Sequence, residues 1–402
     1  MLKTNFLLFS LILSFSILLG QTPRGGQYVV MLSLDAFRWD YEEMYETPNL
    51  RKIAADGVHA KSLISSFPTV TFPNHYSMAT GLYPNNHGLV FNNFYDTVLK
   101  ASYRIGDRKA VENGKFYGGE PIWVTAQKHG LKSASYFWVG SEASIKGVQP
   151  TYWKVYQQNV PFENRIDTVI YWLSLPLEQR PRLITFYMHE PDETSHHYGP
   201  GSPETRKVVM HLDSLVGVLM QKLSALPIAD SINLMVVSDH GMQDVSSDRV
   251  VLVDDFVPRE WIVREHGSSP AIGLVVMERF VDSVLLRLKN VDHIKAWRNT
   301  MVPERLHFGS NPRIGNIVVL ADSAWNVGLK GDKFKYVGAH GFDNANPNMQ
   351  GIFYARGPAF KKGFDFKSFP NVCLYPIIAH ILHLQPAPTD GKLEEVQQLL
   401  LK

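Results

Sequence analysis

The chain alternates between short apolar runs and longer amphipathic stretches. Strand-like apolar runs, the first of which ends in an acidic residue, occupy 28–35, 133–138, 183–188, 233–238 and 314–320. Stretches with apolar residues at helical spacing occupy 119–129, 162–175 and 203–225. Strands that alternate with helices in this way predict an α/β fold, with a largely parallel sheet covered by helices on both faces.

One further helix is marked by its boundaries. In T-P-N-L-R-K-I-A-A-D-G, Thr47 occupies the capping position and Pro48 the first helical position, and Gly57 ends the pattern. Proline is favoured at the first helical position because an N–H is not needed there. We therefore expect a helix that starts at Pro48 and stops before Gly57.

Composition and charge favour a globular protein. Of the 402 residues, 45% are hydrophobic and 19% are charged, which is enough to bury a large core. The formal net charge is +2, and the basic residues are spread along the chain. This distribution argues against a surface for duplex nucleic acid and against a polybasic membrane patch. Residues 21–402 are expected to form one domain with insertions.

The N-terminus has the pattern of a secretory signal peptide. Lys3 precedes an apolar run at 6–19, and the small residue Gly20 follows. The run is shorter than the roughly 20 apolar residues that a membrane span needs, although a retained anchor remains an alternative. We expect residues 1–20 to be a signal peptide and the protein to have no stable membrane span beyond it.

Cysteine usage bears on the compartment. The only cysteine is Cys373, so no intrachain disulfide can form, and its apolar surroundings predict a buried thiol. Export without disulfides is typical of bacterial envelope proteins. The sequence therefore predicts a periplasmic or secreted bacterial protein.

Acidic residues and histidines collect where the predicted strands end. In an open α/β sheet, ligands bind beyond the carboxyl ends of the strands. The set comprises three aspartates and three histidines: Asp35, Asp192, His196, Asp239, His240 and His340. These are the ligand types and the number that two zinc ions require. Each residue taken singly could equally serve a turn or a local hydrogen bond.

A threonine stands at the start of another predicted helix, in F-P-T-V-T-F-P-N-H-Y-S-M-A-T-G. Pro73 fits the first helical turn, which places Thr71 at the cap. The positive end of the helix dipole favours an alkoxide and an incoming phosphate there. With metal ligands elsewhere in the chain, Thr71 is a candidate metal-activated nucleophile, while a plain capping role stays open.

Six motifs occur in the order seen in one known family. They are S-L-D-A-F, P-T-V-T-F-P-N-H-Y-S-M-A-T-G-L-Y-P-N-N-H-G, G-E-P-I-W, E-P-D-x-x-x-H-x-Y-G-P, S-D-H-G-M and A-H-G-F-D-N. On these motifs the chain resembles the nucleotide pyrophosphatase/phosphodiesterases of the alkaline phosphatase superfamily, over nearly its whole length from Val29 onward. The resemblance implies a three-layer α/β/α sandwich and hydrolysis of phosphodiester or pyrophosphate bonds in small nucleotides.

The resemblance also implies a role for each candidate residue. The first zinc is expected to be completed by the Thr71 hydroxyl and held by Asp35, Asp239 and His240. The second is expected to be held by Asp192, His196 and His340. Thr71, rather than Thr69, is the expected nucleophile because it directly precedes F-P-N, and Asn92 is expected to donate a hydrogen bond to a phosphate oxygen. A covalent phospho-threonine intermediate would then release a nucleoside 5′-monophosphate.

The chain departs from the family pattern at two places. Ser195 stands where a glycine usually precedes the histidine of E-P-D-x-x-G-H, and Val70 stands where many relatives have lysine. His197 could compete as a ligand, although the spacing from Asp192 favours His196.

Two aromatic residues suggest a substrate. In nucleotide-cleaving relatives, aromatic residues at the places of Phe72 and Tyr156 sandwich the base, and such stacking tolerates any base. Tyr152, Trp153 and Trp138 could extend the same wall, and Phe72 and Tyr156 could instead be ordinary core aromatics. The main alternative is a phosphodiesterase for choline lipids or glycerophosphodiesters on the same two-zinc site. A phosphomonoesterase, which would need an arginine for the terminal phosphate, and a non-catalytic binding protein are further alternatives.

Overall fold

A nine-stranded sheet runs through the centre of the structure, a computed structural model that describes residues 26–401. Eight strands follow one another in the order Phe364–Phe366, Val58–Ile64, Gly351–Arg356, Ile232–Val237, Tyr28–Leu34, Leu183–Met188, Ser133–Tyr136 and Tyr152–Lys154. Phe369–Pro370 adds a ninth strand beside Val58–Ile64. Only Gly351–Arg356 runs antiparallel to its neighbours, so the predicted largely parallel sheet is confirmed.

The central strand Tyr28–Leu34 shows how the layers are built. Val29 and Met31 pack into one hydrophobic core, while Val30 and Leu32 pack into another on the opposite face. Successive side chains of a strand point to opposite faces, so an all-apolar strand requires cover on both. One face is covered by Thr71–Thr80, Ile122–Lys128 and Leu374–Ile381, and the other by Pro48–Asp56, Phe162–Ser174 and Pro203–Ser224. The result is the predicted three-layer α/β/α sandwich.

A second sheet of four antiparallel strands stands apart from the first. Its order is Ile262–Ser268, Ala271–Val276, Ile317–Ala321 and Ile294–Arg298, and the helix Val281–Leu288 packs with it. The apolar run at 314–320 therefore belongs to this sheet and not to the largely parallel one. Val318 and Val319 explain the ambiguity, because they enter different hydrophobic cores. A strand buried on both faces has the same continuous apolar pattern in either kind of sheet.

Shorter elements connect these layers. The short helices are Tyr41–Met44, Pro84–His87, Arg108–Val111 and Asp192–Tyr198. The two-stranded pairs are Asn93–Asp96 with Ala101–Arg104, Gln243–Asp244 with Gly338–Ala339, and Val250–Leu252 with Asn326–Gly328. Cys373 is buried, as predicted. Within 26–401, no helix has the length and apolar character needed to cross a membrane, and the predicted signal peptide at 1–20 lies outside the described residues.

Candidate metal and nucleophile site

Three neighbouring parallel strands deliver the candidate ligands to one edge of the central sheet. Tyr28–Leu34 lies between Leu183–Met188 and Ile232–Val237, so their carboxyl ends open at the same place. Asp35 directly follows the first strand. The helix Asp192–Tyr198 follows the second, and Asp239 comes just after the third.

The first predicted ligand set forms a buried group. The Nε2 atom of His240 lies 3.1 Å from Asp239 Oδ2 and 3.5 Å from Asp35 Oδ1. All three side chains are almost completely inaccessible to solvent. The hydroxyl oxygen of Thr71 lies 3.2 Å from the same His240 nitrogen. The structure thus brings the predicted nucleophile and the first ligand set together.

The second predicted set forms a group beside the first. Asp192 Oδ1 lies 3.4 Å from His196 Nε2 and 3.5 Å from His340 Nε2, and the two histidine nitrogens are 3.1 Å apart. The rings of His240 and His340 stack with their centroids 3.7 Å apart. The two groups are therefore adjacent, and the stacked rings of His240 and His340 lie in contact between them.

Unpaired oxygens show that these groups fit metal ions. Asp35 Oδ1, Asp239 Oδ2 and Asp192 Oδ1 are buried, and they have no hydrogen-bond partner among the described residues. A buried carboxylate without a partner is costly, and a bound cation removes that cost. Converging carboxylate oxygens and imidazole nitrogens are the donor set that zinc prefers.

The histidines are held with the correct nitrogen facing inward. Each Nδ1 atom lies within hydrogen-bonding distance of a backbone carbonyl: His196 of Gly338 at 2.7 Å, His240 of Gly241 at 2.9 Å, and His340 of Thr69 at 3.0 Å. Donation from Nδ1 to a carbonyl fixes the tautomer that leaves a lone pair on Nε2. All three Nε2 atoms face the carboxylates and are ready to act as ligands.

Burial also sets the charge of these groups. It lowers the pKa of His240 to about 4, and burial together with His196 lowers the pKa of His340 to about 3. Burial and the Asp239 charge raise the pKa of Asp35 well above its ordinary value. For Asp239, burial raises the pKa, but His240 and His75 outweigh it and the pKa is lowered. Neutral imidazoles beside a carboxylate suit metal coordination.

The helix that carries the candidate nucleophile begins one residue earlier than expected. Thr71–Thr80 is helical and Val70 is its N-cap, so Thr71 is the first helical residue and not the cap. Val70 has the extended backbone that is typical of an N-cap residue, and the helical backbone starts at Thr71. A cap hydroxyl would be used on a backbone N–H, whereas the Thr71 hydroxyl faces His240.

The Asn92 side chain contacts the start of the same helix. Its side-chain oxygen accepts a hydrogen bond from the Phe72 N–H at 3.1 Å. This bond orients the amide so that its NH₂ group is left for another acceptor. The Asn92 amide can then donate to a phosphate oxygen at the positive end of the helix dipole.

The two predicted stacking residues are both accessible to solvent, and they pack against different aromatic side chains. Phe72 is half-buried and lies edge-on to Tyr103 with centroids 6.4 Å apart. Tyr156 is 38% exposed and packs on Phe137 and on Tyr187. Of the further wall expected from Tyr152, Trp153 and Trp138, the Trp138 part is wrong, because Trp138 is fully buried and donates to the His75 carbonyl. Tyr152 and Trp153 are half-buried, and Tyr152 stacks on Trp172.

The departures from the family pattern leave the ligand groups intact. Ser195 is buried, with its hydroxyl 3.4 Å from that of Thr205. His197 is exposed and its Nδ1 pairs with the Glu193 carbonyl, so it points away from Asp192.

Two residues behind the ligands were missed by the sequence reasoning. The Tyr187 hydroxyl donates to Asp35 Oδ2. His75 is fully buried, with Nε2 at 2.9 Å from the Ser33 hydroxyl and Nδ1 at 3.0 Å from the Thr71 carbonyl oxygen. The same Nδ1 atom is 3.3 Å from Asp239 Oδ2 without forming a hydrogen bond to it. The available sequence signal was a polar residue at a position that should be buried. Ser33 interrupts an otherwise apolar strand, and His75 lies in a fully buried part of a helix.

Comparison with known proteins agrees with this fold. The family model for type I phosphodiesterase / nucleotide pyrophosphatase matches residues 29–343. A venom phosphodiesterase of Naja atra is 37% identical over 395 residues, covering 94% of this chain and 47% of the relative. Human ectonucleotide pyrophosphatase/phosphodiesterase family member 1 is 36% identical, covering 94% of this chain and 43% of the relative.

A solved structure has the same fold and a related sequence. Murine ectonucleotide pyrophosphatase/phosphodiesterase 5, as an inactive threonine-to-alanine variant in complex with AMP, matches with a TM-score of 0.89 and 34% identity, covering 93% of this chain and 100% of that one. The fold is thus alkaline-phosphatase-like. The chain belongs to the type I phosphodiesterase / nucleotide pyrophosphatase family.

The relatives differ from this chain in length and in source. The chain spans about half the length of the curated relatives it matches. These relatives and the matching solved structure come from a snake and from mammals, so they do not support the bacterial origin expected from cysteine usage.

Proposed function

We propose that the protein is a two-zinc hydrolase that cleaves phosphodiester or pyrophosphate bonds of nucleotides with Thr71 as nucleophile. The observation that carries the proposal is the position of the Thr71 hydroxyl, 3.2 Å from His240 Nε2 at the junction of two Asp/His groups with unpaired carboxylate oxygens. Asp35, Asp239 and His240 would hold the first ion, and Asp192, His196 and His340 the second.

Thr71 and Asn92 have different roles in the proposed reaction. When bound, the paired zinc ions would supply positive charge that acidifies the threonine hydroxyl and balances charge on the phosphoryl oxygens. Thr71 loses its hydroxyl proton and attacks phosphorus, and the bond from phosphorus to the leaving-group oxygen breaks, which leaves the nucleoside phosphate esterified to Thr71 as a phospho-threonine. Water then breaks the bond between phosphorus and the threonine oxygen, which releases the nucleoside 5′-monophosphate and restores the Thr71 hydroxyl. Asn92 donates to a phosphoryl oxygen and, by accepting from the Phe72 N–H, keeps that donor fixed. The helix start adds partial positive charge at the same position.

The surroundings of the two threonines support this choice of nucleophile. Thr69 is fully buried, and its hydroxyl donates to the Phe342 carbonyl and accepts from the Gly341 N–H. It is therefore occupied in holding the loop that carries His340. A threonine-to-alanine change accompanies inactivity in the murine relative, which agrees with an essential threonine.

A nucleotide is the proposed substrate. The murine relative was captured with AMP. Phe72 and Tyr156 are proposed to stack on the two faces of the base, since both are accessible near the ligand groups. Among the described residues, none that lines the cavity beside the second ligand group is an arginine, which disfavours a phosphomonoesterase.

Export is proposed together with this activity. The apolar run at 6–19 supports a signal peptide at 1–20, with residues 21–402 as one catalytic domain. Relatives named as venom and ecto-enzymes agree with a secreted location.

A comparison of three chromogenic substrates tests the function. With zinc present, we expect p-nitrophenyl thymidine 5′-monophosphate to be cleaved faster than p-nitrophenyl phosphate and p-nitrophenyl phosphorylcholine. Activity should disappear on chelation and return with zinc. Preference for the phosphorylcholine ester would instead support the lipid phosphodiesterase.

A Tyr156→Ala variant tests the nucleotide preference. Loss of one stacking face should cost about 1–3 kcal/mol of binding, which raises the Michaelis constant for a nucleotide ester by about ten- to a hundredfold. A small synthetic diester without a base is the control and should be largely unaffected. Equal losses on both substrates would show that Tyr156 is structural.

A further inference from the structure

Tyr156 stands in a segment that has no regular secondary structure. Residues 155–160, here called the Tyr156 segment, follow the edge strand Tyr152–Lys154, and all of them except Val160 are exposed. Exposed irregular segments are usually more mobile than the elements they connect. A stacking surface binds better when it is in place before the ligand arrives, because less conformational entropy is then lost. The contacts that hold this segment therefore bear on nucleotide binding.

A buried arginine binds two carbonyl groups of the segment. Arg165 is fully buried, and its guanidinium donates to the carbonyl oxygens of Gln158, at 3.0 Å, and of Val160, at 3.0 and 3.2 Å. The carbonyl oxygen of Tyr187 accepts a further bond at 2.9 Å. No carboxylate among the described residues pairs with this guanidinium, and burial lowers its pKa from the ordinary value. A buried cation is costly unless its donors are used, so these bonds fix the segment to the central sheet.

A buried glutamate holds the tyrosine itself. Glu142 is 7% exposed, and its Oε1 atom accepts a hydrogen bond from the Tyr156 N–H at 3.2 Å, while Oε2 accepts from Arg108. Gln158 and Glu193 add one hydrogen bond between two exposed side chains, which water can replace. Together with the arginine, the Glu142 carboxylate therefore anchors the segment at Tyr156 and at two positions beyond it.

The aromatic side chain below Tyr156 is attached to the same arginine. Phe137 has a φ of 70°, a left-handed backbone that residues other than glycine rarely adopt. The centroid of its buried ring lies 5.0 Å from the Arg165 guanidinium carbon and 5.1 Å from the Tyr156 ring centroid. A guanidinium near an aromatic ring is attracted to it. Tyr156 also packs on Tyr187, whose hydroxyl donates to Asp35, so the Tyr156 ring is fixed relative to the first ligand group.

We propose that Glu142 and Arg165 are positioning residues that hold Tyr156 in the orientation needed to stack on the base of the substrate. Both act through Tyr156 and not on the reacting atoms. The inference rests on the proposed nucleotide function and extends it to the residues that set the affinity for the base. Their loss should weaken the binding of nucleotide substrates without changing the chemical step.

Glu142 variants of the zinc-loaded enzyme test this role on two substrates. p-Nitrophenyl thymidine 5′-monophosphate carries a base, and methyl p-nitrophenyl phosphate is a diester without one. Glu142→Ala should raise the Michaelis constant for the nucleotide ester by about three- to tenfold, because the Tyr156 N–H loses its acceptor. Both kcat values and the Michaelis constant for the methyl ester should stay within about twofold.

Two further variants serve as controls. Glu142→Gln keeps an acceptor for the Tyr156 N–H and should restore the wild-type Michaelis constant for the nucleotide ester. Glu112→Ala removes another carboxylate that pairs with Arg108 but does not contact the Tyr156 segment. It is the matched control and should leave both substrates unaffected.

A double-mutant cycle distinguishes positioning from a general structural role. If Glu142 acts through Tyr156, Glu142→Ala should cause no further rise in the Michaelis constant when Tyr156 is already alanine. Arg165→Lys keeps the charge but cannot reproduce the bonds of the planar guanidinium to several carbonyls. It should show the same selective effect on the nucleotide ester and the same dependence on Tyr156. Should Arg165→Lys fail to fold, the Glu142 cycle alone decides.

The outcomes separate this inference from the proposed function. Effects of Glu142→Ala and Tyr156→Ala that simply multiply, equal changes on both substrates, or an unchanged Michaelis constant for the nucleotide ester would overturn the positioning role while the phosphodiesterase function stands. Inactivity of the wild type on the nucleotide ester would overturn the proposed function and the positioning role together.

Discussion

At the scale of single residues, position within a few ångströms decides chemistry. Thr69 and Thr71 are two residues apart, yet the first hydroxyl is fixed between two backbone groups and the second faces His240. A hydroxyl used for both donation and acceptance inside the fold has little capacity left for a substrate. Sequence spacing could not separate the two residues on physical grounds, because both lie close to the start of the same helix.

Replacement of the two threonines gives opposite results. Thr71→Ala should fold and still bind zinc through the Asp and His ligands, and it should lose about three or more orders of magnitude in kcat, the scale of nucleophile deletions. Thr71→Ser should retain part of the activity. Thr69→Ala should lower thermal stability through the loop that carries His340, with a smaller loss of kcat. Turnover of p-nitrophenyl thymidine monophosphate and metal content measure both effects. An active Thr71→Ala with an inactive Thr69→Ala would reverse the assignment.

Residues behind the ligands matter at the same scale. The Tyr187 hydroxyl donates to Asp35, so Tyr187→Phe removes one hydrogen bond and leaves the ring in place. Loss of such an outer partner typically weakens metal affinity by about ten- to a hundredfold. We expect that reduction in the affinity for the first zinc, measured by competition with a chelator, and full activity at saturating zinc.

Tyr354→Phe is the matched control for Tyr187→Phe. Tyr354 is another buried strand tyrosine whose hydroxyl donates to a carboxylate, that of Glu42, away from the ligand groups. Its variant should keep wild-type zinc affinity. Equal affinity in the Tyr187 and Tyr354 variants would show that Tyr187 does not position Asp35.

At the scale of elements, the helix Pro48–Asp56 shows what sequence signals give and omit. Its boundaries match the prediction, and Thr47 is the N-cap residue. The Thr47 side chain makes no capping bond, however. The backbone N–H groups of Asn49 and Leu50 are instead bound by the Asp213 carboxylate, at 3.1 and 2.8 Å. A local pattern predicts where a helix begins, but it cannot identify a partner 164 residues away.

The same limit explains the other differences. Periodicity located the five predicted strands and the three longest predicted helices within a few residues, because burial on one or two faces imposes it. It missed the strands Val58–Ile64 and Gly351–Arg356 and the helix Leu374–Ile381. It could not assign 317–321 to the second sheet, since a strand buried on both faces looks the same in either. The candidate ligands could be singled out because they follow strands, whereas Tyr187 resembled any core aromatic.

Stability measurements test the tertiary cap. Asp213→Ala leaves two backbone N–H groups of the helix without an acceptor and should lower the free energy of unfolding by about 2–3 kcal/mol. Thr47→Ala should change it by no more than about 0.5 kcal/mol, because its hydroxyl makes no bond to lose. Denaturant unfolding measures both variants, and kcat should be unchanged in each. A larger loss from Thr47→Ala than from Asp213→Ala would contradict this account.

At the scale of the whole molecule, the two ligand groups join segments that are distant in sequence. Residues from three strand ends, from the start of the Thr71 helix and from the loop at 338–342 meet within a few ångströms. Bound metal would therefore stabilise the folded chain as a unit, since the unfolded chain cannot present the same ligands together.

Metal content and thermal stability test this coupling in one set of samples. The purified protein should contain about two zinc ions, as a paired clamp requires, and Asp192→Ala about one, because that change removes a ligand of the second group only. An ion present at a hundredfold excess over its dissociation constant contributes about 2.7 kcal/mol. Chelation should therefore lower the unfolding midpoint of the wild type by more than that of Asp192→Ala. Glu193→Ala, which removes a neighbouring exposed carboxylate, is the control and should behave as the wild type. Two zinc ions and wild-type turnover in Asp192→Ala would refute the second site.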